Sequence, residues 1–90
     1  MDDMSEQKIK QDSVIHIGKN IRFIRKKLGM KQTDLVRHLQ LLNIDMTRET
    51  LVKIERGIQH IQASQLRGIR DALQTTYDEL LSDHDLTVVR

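Results

Sequence analysis

The chain has 90 residues with no cysteine and no proline, which allows one small domain and excludes disulfides and cysteine-built zinc sites. Because it shows neither a signal-peptide pattern nor an apolar run near the ~18 residues of a membrane helix, we expect a soluble, cytoplasmic protein. The net charge of +2 is segregated: residues 17–60 carry ten Lys/Arg and four Asp/Glu, whereas residues 1–16 and 61–90 each sum to −2, so the basic centre suggests a polyanion partner such as nucleic acid.

The chain begins with a polar, charged stretch without periodicity, which predicts a flexible arm over residues 1–12. Apolar residues then recur at helical spacing and predict a first helix over about residues 14–28, with Ser13 as its cap. Cations in the last turn and Gly29 behind them are typical of a helix C-terminus. The apolar stripe of this helix consists of Ile17, Ile21, Ile24 and Leu28.

Two further helices are predicted in the basic centre. Residues 31–42 form the second, and Asn43 can end it because asparagine tolerates the left-handed conformation. Thr47 can cap the third, which spans about residues 47–56 and ends before Gly57. The residues expected to face the core are Leu35, Leu39 and Leu42 from the second helix and Leu51, Ile54 and Ile58 from the third.

The last third of the chain predicts a linker over residues 58–64 and then two more helices. Thr76 stands three residues before Glu79, which is capping-box spacing for a short fifth helix. The tail is too short to assign, although its "LTVV" could form a strand with a partner edge. The apolar stripe of the fourth helix consists of Leu66, Ile69, Ala72 and Leu73. We therefore predict an arm over 1–12, a helical domain over 13–81 and a tail over 82–90.

Two charged residues stand beside the apolar stripes. Glu55 lies four residues after Leu51, and Arg25 lies four residues after Ile21. One buried charge would be costly, but an inward-facing pair can satisfy itself and fix one orientation of its two helices. The alternative is that both side chains lean outward into water.

Two stretches, "IRKKLGMKQTDLVRHL" and "TRETLVKIERG", resemble the lambda-repressor-like (Cro/cI, or xenobiotic-response-element) helix-turn-helix family over about residues 17–81. The matching residues are Arg25, Gln32, Leu35, Leu39, Thr47, Thr50, Leu51, Ile54, Glu55 and Gly57. The resemblance implies an all-α, five-helix domain whose third helix lies in the DNA major groove. It also implies that the structural ion pair Arg25–Glu55 ties the first helix to the third.

The chain departs from the family pattern in two places. The stretch from Leu39 to Glu55 is longer than in short family members by the residues "LLNID", as in a long-turn subgroup that has glycine where Asn43 stands. Arg70 occupies a position that is usually small and apolar, which puts the local packing of the fourth helix in doubt.

The resemblance also indicates which residues would contact DNA, since a major groove admits one helix whose first residues meet base edges. The positions that match base readers are Arg48, Glu49 and Lys53. Gln32, at a helix start, is the main phosphate-contacting residue expected. Lesser phosphate-contacting candidates are Thr33, Thr47, Thr50 and Arg56, with Lys31 and His60. The alternative is an ordinary solvated face.

No other chemistry is indicated by the sequence. The four histidines match no metal-ligand spacing, and no catalytic serine or phosphate-loop motif is present, so neither an enzyme nor a cofactor or metal is expected. We expect a sequence-specific regulator of transcription that binds double-stranded DNA, with repression as its action. A homodimer on a pseudo-palindromic operator is expected to form through Tyr77, Leu80, Leu81 and residues 86–89. The alternative is a protein-interaction module on the same fold, such as an antitoxin or a regulatory subunit.

Overall fold

A computed structural model of the chain describes the backbone of Lys8–Ile9 and residues 16–82. Its helices are α1 (Ile17–Lys27), α2 (Gln32–Leu41), α3 (Arg48–Glu55), α4 (Ala63–Leu73) and α5 (Tyr77–Leu81). The predicted all-α, five-helix class is confirmed. The remaining residues of the predicted arm and the tail 83–90 lie outside the described part, and the domain boundaries stay predictions.

Two short strands were not expected from the sequence. Strand β1 (Lys8–Ile9) pairs antiparallel with β2 (Ile61–Gln62), so that Lys8 lies opposite Gln62 and Ile9 opposite Ile61. The segment predicted as a linker is therefore partly paired, and α4 begins directly after β2.

The core is formed by the apolar stripes of the helices. Helix α1 packs against α3 and α5, while α2 packs against α3 and α4. The buried apolar residues are Ile17, Ile21, Leu35, Val36, Leu39, Met46, Leu51, Ile54, Ile61, Leu66, Ile69, Leu73 and Leu80. Asn20 ties α1 to the end of α5, because its side-chain amide donates to the carbonyl oxygens of Leu80 at 2.8 Å and Ser82 at 2.7 Å.

The helix ends predicted at Thr47, Thr76 and Asn43 are confirmed. The hydroxyl of Thr47 accepts from the backbone N–H of Thr50 at 3.1 Å, and that of Thr76 accepts from Glu79 at 3.1 Å. Asn43 ends α2 with a φ of +61°. The first helix, in contrast, begins at Ile17 rather than near residue 14. Its N-cap is His16, without a side-chain bond, and the predicted cap, Ser13, lies outside the described residues.

Three residues that were expected to face the core are exposed, so these predictions were wrong. Ile58 is 63% exposed because Gly57, at a φ of +78°, turns the chain out of the register of α3. Leu28 and Leu42 occupy the C-cap positions of α1 and α2, where the chain leaves the helix before either side chain reaches the core.

The long turn between α2 and α3 is folded onto α4. Helix α4 and the turn are in close contact at Gly68. A Cβ added to this glycine would overlap the end of the Ile44 side chain. The side-chain amide of Gln65 donates to the carbonyl of Asp45 at 3.4 Å, and Met46 is buried. These contacts connect α3 to the body of the domain.

Candidate nucleic-acid interface

A buried ion pair holds α1 against α3. Arg25 Nε donates to Glu55 Oε2 at 2.7 Å and Arg25 Nη2 donates to Glu55 Oε1 at 2.9 Å. The two side chains are 8% and 1% exposed. Arg25 Nη1 donates to the carbonyl of Met30 at 2.8 Å. The structure thus brings together the two charges that helical spacing placed beside the apolar stripes, and it links them to the loop before α2.

The outer face of α3 consists of exposed polar side chains. Arg48, Glu49 and Lys53 are exposed, as is Arg56 just after the helix. Within residues 16–82 none of these four side chains forms a hydrogen bond or an ion pair. Leu51, Ile54 and Glu55 occupy the opposite, buried face. Arg48, Glu49 and Lys53, which the family resemblance suggests as base-contacting residues, therefore lie together on one solvent-facing surface.

The two threonines at the start of α3 are partly engaged with each other. Thr47 Oγ1 donates to Thr50 Oγ1 at 3.0 Å, in addition to accepting the backbone N–H of Thr50. Because either hydroxyl can be the donor in this contact, one hydroxyl hydrogen of the two threonines remains available to an anion.

The start of α2 is also connected to the buried pair. Gln32 Nε2 donates to Glu55 Oε1 at 3.0 Å, so one N–H of this side-chain amide is already used within the domain. One N–H of its amide remains, because a side-chain amide carries two donors. Lys31 N donates to the carboxylate of Asp34 at 3.0 Å, and Thr33 is exposed next to it.

An open cleft of about 660 Å³ lies where α1, the start of α2 and the start of α3 meet. Its lining residues are Arg22, Arg25 and Lys26 from α1, Lys31, Gln32 and Thr33 from the start of α2, and Arg48 from α3. Arg22 and Lys26 were not among the predicted site residues. Their i, i+4 spacing beside Arg25 was the available signal, because it places all three cations on neighbouring faces of one helix.

Arg70, the second departure from the family pattern, does not disturb the core. It is turned outward, where its guanidinium donates to Asp71 Oδ1 at 2.6 and 3.0 Å and lies 4.6 Å from the centroid of the Tyr77 ring. The hydrogen bonding to Asp71 raises the pKa of Arg70 above its ordinary value. This cluster lies at the junction of α4 and α5 and shares no residue with the cleft.

In the part of the chain that the structure describes, no group of three potential metal-ligating side chains occurs, and none of the helices has the length and apolar character of a membrane span. His16, His38 and His60 are exposed, while His84 lies outside the described residues.

Comparison with known proteins identifies the family. A family model described as Helix-turn-helix matches residues 21–80, which is most of the chain and includes all of α2, α3 and α4. No curated protein and no solved structure shows significant similarity to the chain.

Proposed function

The chain belongs to the Cro/cI-like helix-turn-helix family of DNA-binding transcription regulators, and we propose that it recognises a specific double-stranded DNA sequence through α3. The main support is the outer face of α3, where Arg48, Glu49 and Lys53 are exposed and have no partner in the described residues. Their hydrogen-bonding groups are therefore available for base edges. The Arg25–Glu55 pair supports the proposal further, because it holds α3 in one orientation.

The three proposed base readers differ in what they can bind. Arg48 and Lys53 can each donate to O6 and N7 of guanine. Glu49 can accept from N4 of cytosine, and it would be repelled by phosphates if α3 were misplaced in the groove. Arg48 and Glu49 lie in the first turn of α3, and Lys53 follows one turn later on the same exposed face.

Phosphate contacts are proposed on both sides of this helix. Gln32 retains one amide N–H, Thr33 is exposed, and the N-terminal turn of a helix favours an anion. Thr50 has a hydroxyl donor, and Arg56 is exposed at the end of α3. Thr47, the N-cap residue of α3, offers a second hydroxyl beside that of Thr50. Such contacts position the domain on the duplex and carry no sequence information themselves.

We also propose that the protein acts as a repressor, because occupation of an operator is sufficient to block access by other proteins. One recognition helix reads only part of a useful operator, so a homodimer on a pseudo-palindrome is the proposed form. Its half-sites should be about 10 bp apart, which is one turn of B-DNA.

The proposal is tested by selecting bound duplexes from a random pool and measuring affinity for the selected and for random DNA. The wild type should enrich one motif. Glu49→Ala should relax specificity at one position of each half-site while binding to random DNA holds or improves. Arg48→Ala and Lys53→Ala should each cost about 1–3 kcal/mol on the selected site and little on random DNA.

The control is Lys27→Ala, which removes an exposed cation of α1. Lys27 lies outside both α3 and the lining of the cleft. It should leave the preferred motif unchanged. If the α3 substitutions weaken binding to selected and random DNA by equal factors, α3 is not the reading helix. A pool without any enriched motif would favour the protein-interaction module instead.

A further inference from the structure

We propose that α1 takes part in DNA binding, with Arg22 and Lys26 holding one backbone phosphate in the cleft between α1, α2 and α3. This inference rests on the proposed function, since the ligand is a phosphodiester of the duplex that α3 reads. It adds a third helix to the contacts, through residues that neither the sequence pattern nor the recognition face of α3 includes.

The charges around the cleft favour an anion as its ligand. Five of its seven lining residues are cationic and none is acidic. The charge of Arg25 is compensated by Glu55, but Arg22, Lys26 and Arg48 have no acidic partner in the part of the chain that the structure describes. The ammonium group of Lys31, the remaining cation of the lining, likewise forms no ion pair there, although the backbone N–H of Lys31 donates to Asp34. Like charges gathered at one concave site repel each other and attract an anion.

The cleft is formed before any ligand binds. Its three walls are connected by the network in which Glu55 accepts from Arg25 of α1 and from Gln32 of α2. Because these bonds are buried or partly buried, the positions of the walls do not depend on the exposed cations. A phosphate would find its donors already arranged, so little ordering free energy is lost on binding.

The position of the cleft indicates which phosphate it would hold. Arg48 lines the cleft and also belongs to the exposed surface of α3, so the cleft opens beside the proposed base readers. Arg22 and Lys26 are one helical turn apart on α1 and face the same opening. A phosphate next to the groove that receives α3 is the ligand that both features fit.

The chain offers a matched control in the same helix. Lys19 and Lys27 are exposed cations of α1 that do not line the cleft. The double variants Arg22→Gln/Lys26→Gln and Lys19→Gln/Lys27→Gln each remove two positive charges from α1. Because none of the four side chains has a hydrogen-bond partner in residues 16–82, both variants should keep the melting temperature of the wild type.

The experiment measures affinity for random-sequence duplex DNA over a series of salt concentrations. The slope of log K against log salt should be lower for the cleft variant than for the control variant by about one, because one phosphate contact is lost. The selected motif should stay the same in both variants. Equal slopes in the two variants would overturn the proposal and leave the proposed function standing.

A second measurement decides the question if the protein binds no duplex, which would itself refute the proposed function. Inorganic phosphate is titrated while the backbone amide resonances of Gln32 and Thr33 are followed by NMR. The wild type and the control variant should show saturable shifts that the cleft variant lacks. Equal shifts in all three proteins, or none in any, would show that the cleft is an ordinary solvated surface.

Discussion

The carboxylate of Glu55 is bonded at both oxygens. Oε1 accepts from Arg25 and from Gln32, and Oε2 accepts from Arg25. Charge-assisted, bidentate bonds of this kind are among the strongest hydrogen bonds in proteins. They explain how a charged side chain that is 1% exposed can be accommodated in a small domain, and they give the pair a geometric role, since only one relative position of α1 and α3 satisfies it.

Removing one member of this pair should therefore destabilise the fold much more than replacing both members with apolar residues. Glu55→Ala should lower the free energy of unfolding by about 3–5 kcal/mol, because it leaves the charge of Arg25 buried without its partner. The double change Arg25→Met/Glu55→Leu should cost much less than the sum of the single changes. Urea unfolding of the four proteins in a double-mutant cycle measures the coupling. Small, additive losses would contradict a coupled pair.

Substitution of Gln32 should lower both stability and DNA affinity, whereas substitution of an exposed phosphate-contacting residue should lower DNA affinity alone. Gln32→Ala removes a donor from Glu55, so we expect a loss of about 1 kcal/mol in unfolding free energy. It should also weaken binding to selected and random DNA about equally, because a phosphate is the same in both. Thr33→Ala is the control for stability, since Thr33 is exposed and should change the unfolding free energy by less than about 0.5 kcal/mol. A Gln32 variant with wild-type stability would argue against the bond to Glu55.

Helices α1 and α3 are in close contact at Gly18. A Cβ built on Gly18 would overlap the backbone carbonyl oxygen of Ile54, which cannot move aside as a flexible side chain can. Gly18→Ala should consequently push the two helices apart and cost about 1–3 kcal/mol or more. Lys19→Ala, at an exposed site in the same helix, should cost less than about 0.5 kcal/mol. Thermal unfolding of both variants tests this, and equal melting temperatures would show that α1 can shift without cost.

The connection between α2 and α3 depends on a left-handed residue. Asn43 has a φ of +61°, a region that glycine adopts freely and most other residues do not. Asn43→Ala should be about 1 kcal/mol less stable than Asn43→Gly, because only the first carries a Cβ into this conformation without a polar side chain to support it. Denaturant midpoints of the two variants give the difference. Equal midpoints would mean that the turn relaxes to another conformation.

For the assembled protein, the structure narrows the surface available for dimerisation. Leu80, which the sequence suggested for this surface, is fully buried in the core of the domain and cannot contact a second copy. This part of the prediction was wrong, because α5 turns Leu80 toward α1 and leaves Tyr77 and Leu81 outside. Residues 86–89 lie outside the described part of the chain. The proposed dimer surface is accordingly reduced to the outer side of α5.

We expect Leu81→Glu to separate the homodimer into monomers and to weaken operator binding. The control is Leu41→Glu, which places the same charge on a leucine of α2 that is 76% exposed. Sedimentation velocity, with and without the selected DNA, should show a dimer for the wild type and the control variant. A wild type that remains monomeric both free and on its best site would contradict the dimer.

The sequence alone was sufficient to predict structural features that depend on residues within one helical turn of each other. The caps at Thr47 and Thr76 and the left-handed Asn43 were predictable, because the groups that make them lie within a few residues of each other. Helical spacing likewise indicated the five helices and most of the buried stripes. The inward pairing of Arg25 with Glu55 followed from the same spacing, together with the resemblance to a family that has this pair.

Tertiary packing decided the features that join distant residues. The cationic cleft draws Arg22, Lys31 and Arg48 from three helices, and its existence depends on how those helices cross. The i, i+4 spacing of Arg22 and Lys26 places both cations on one side of α1, but it contains no information about which other helices lie beside them. Ile58 was misassigned for a related reason, since periodicity cannot show where packing ends a helix and turns the next side chain into solvent.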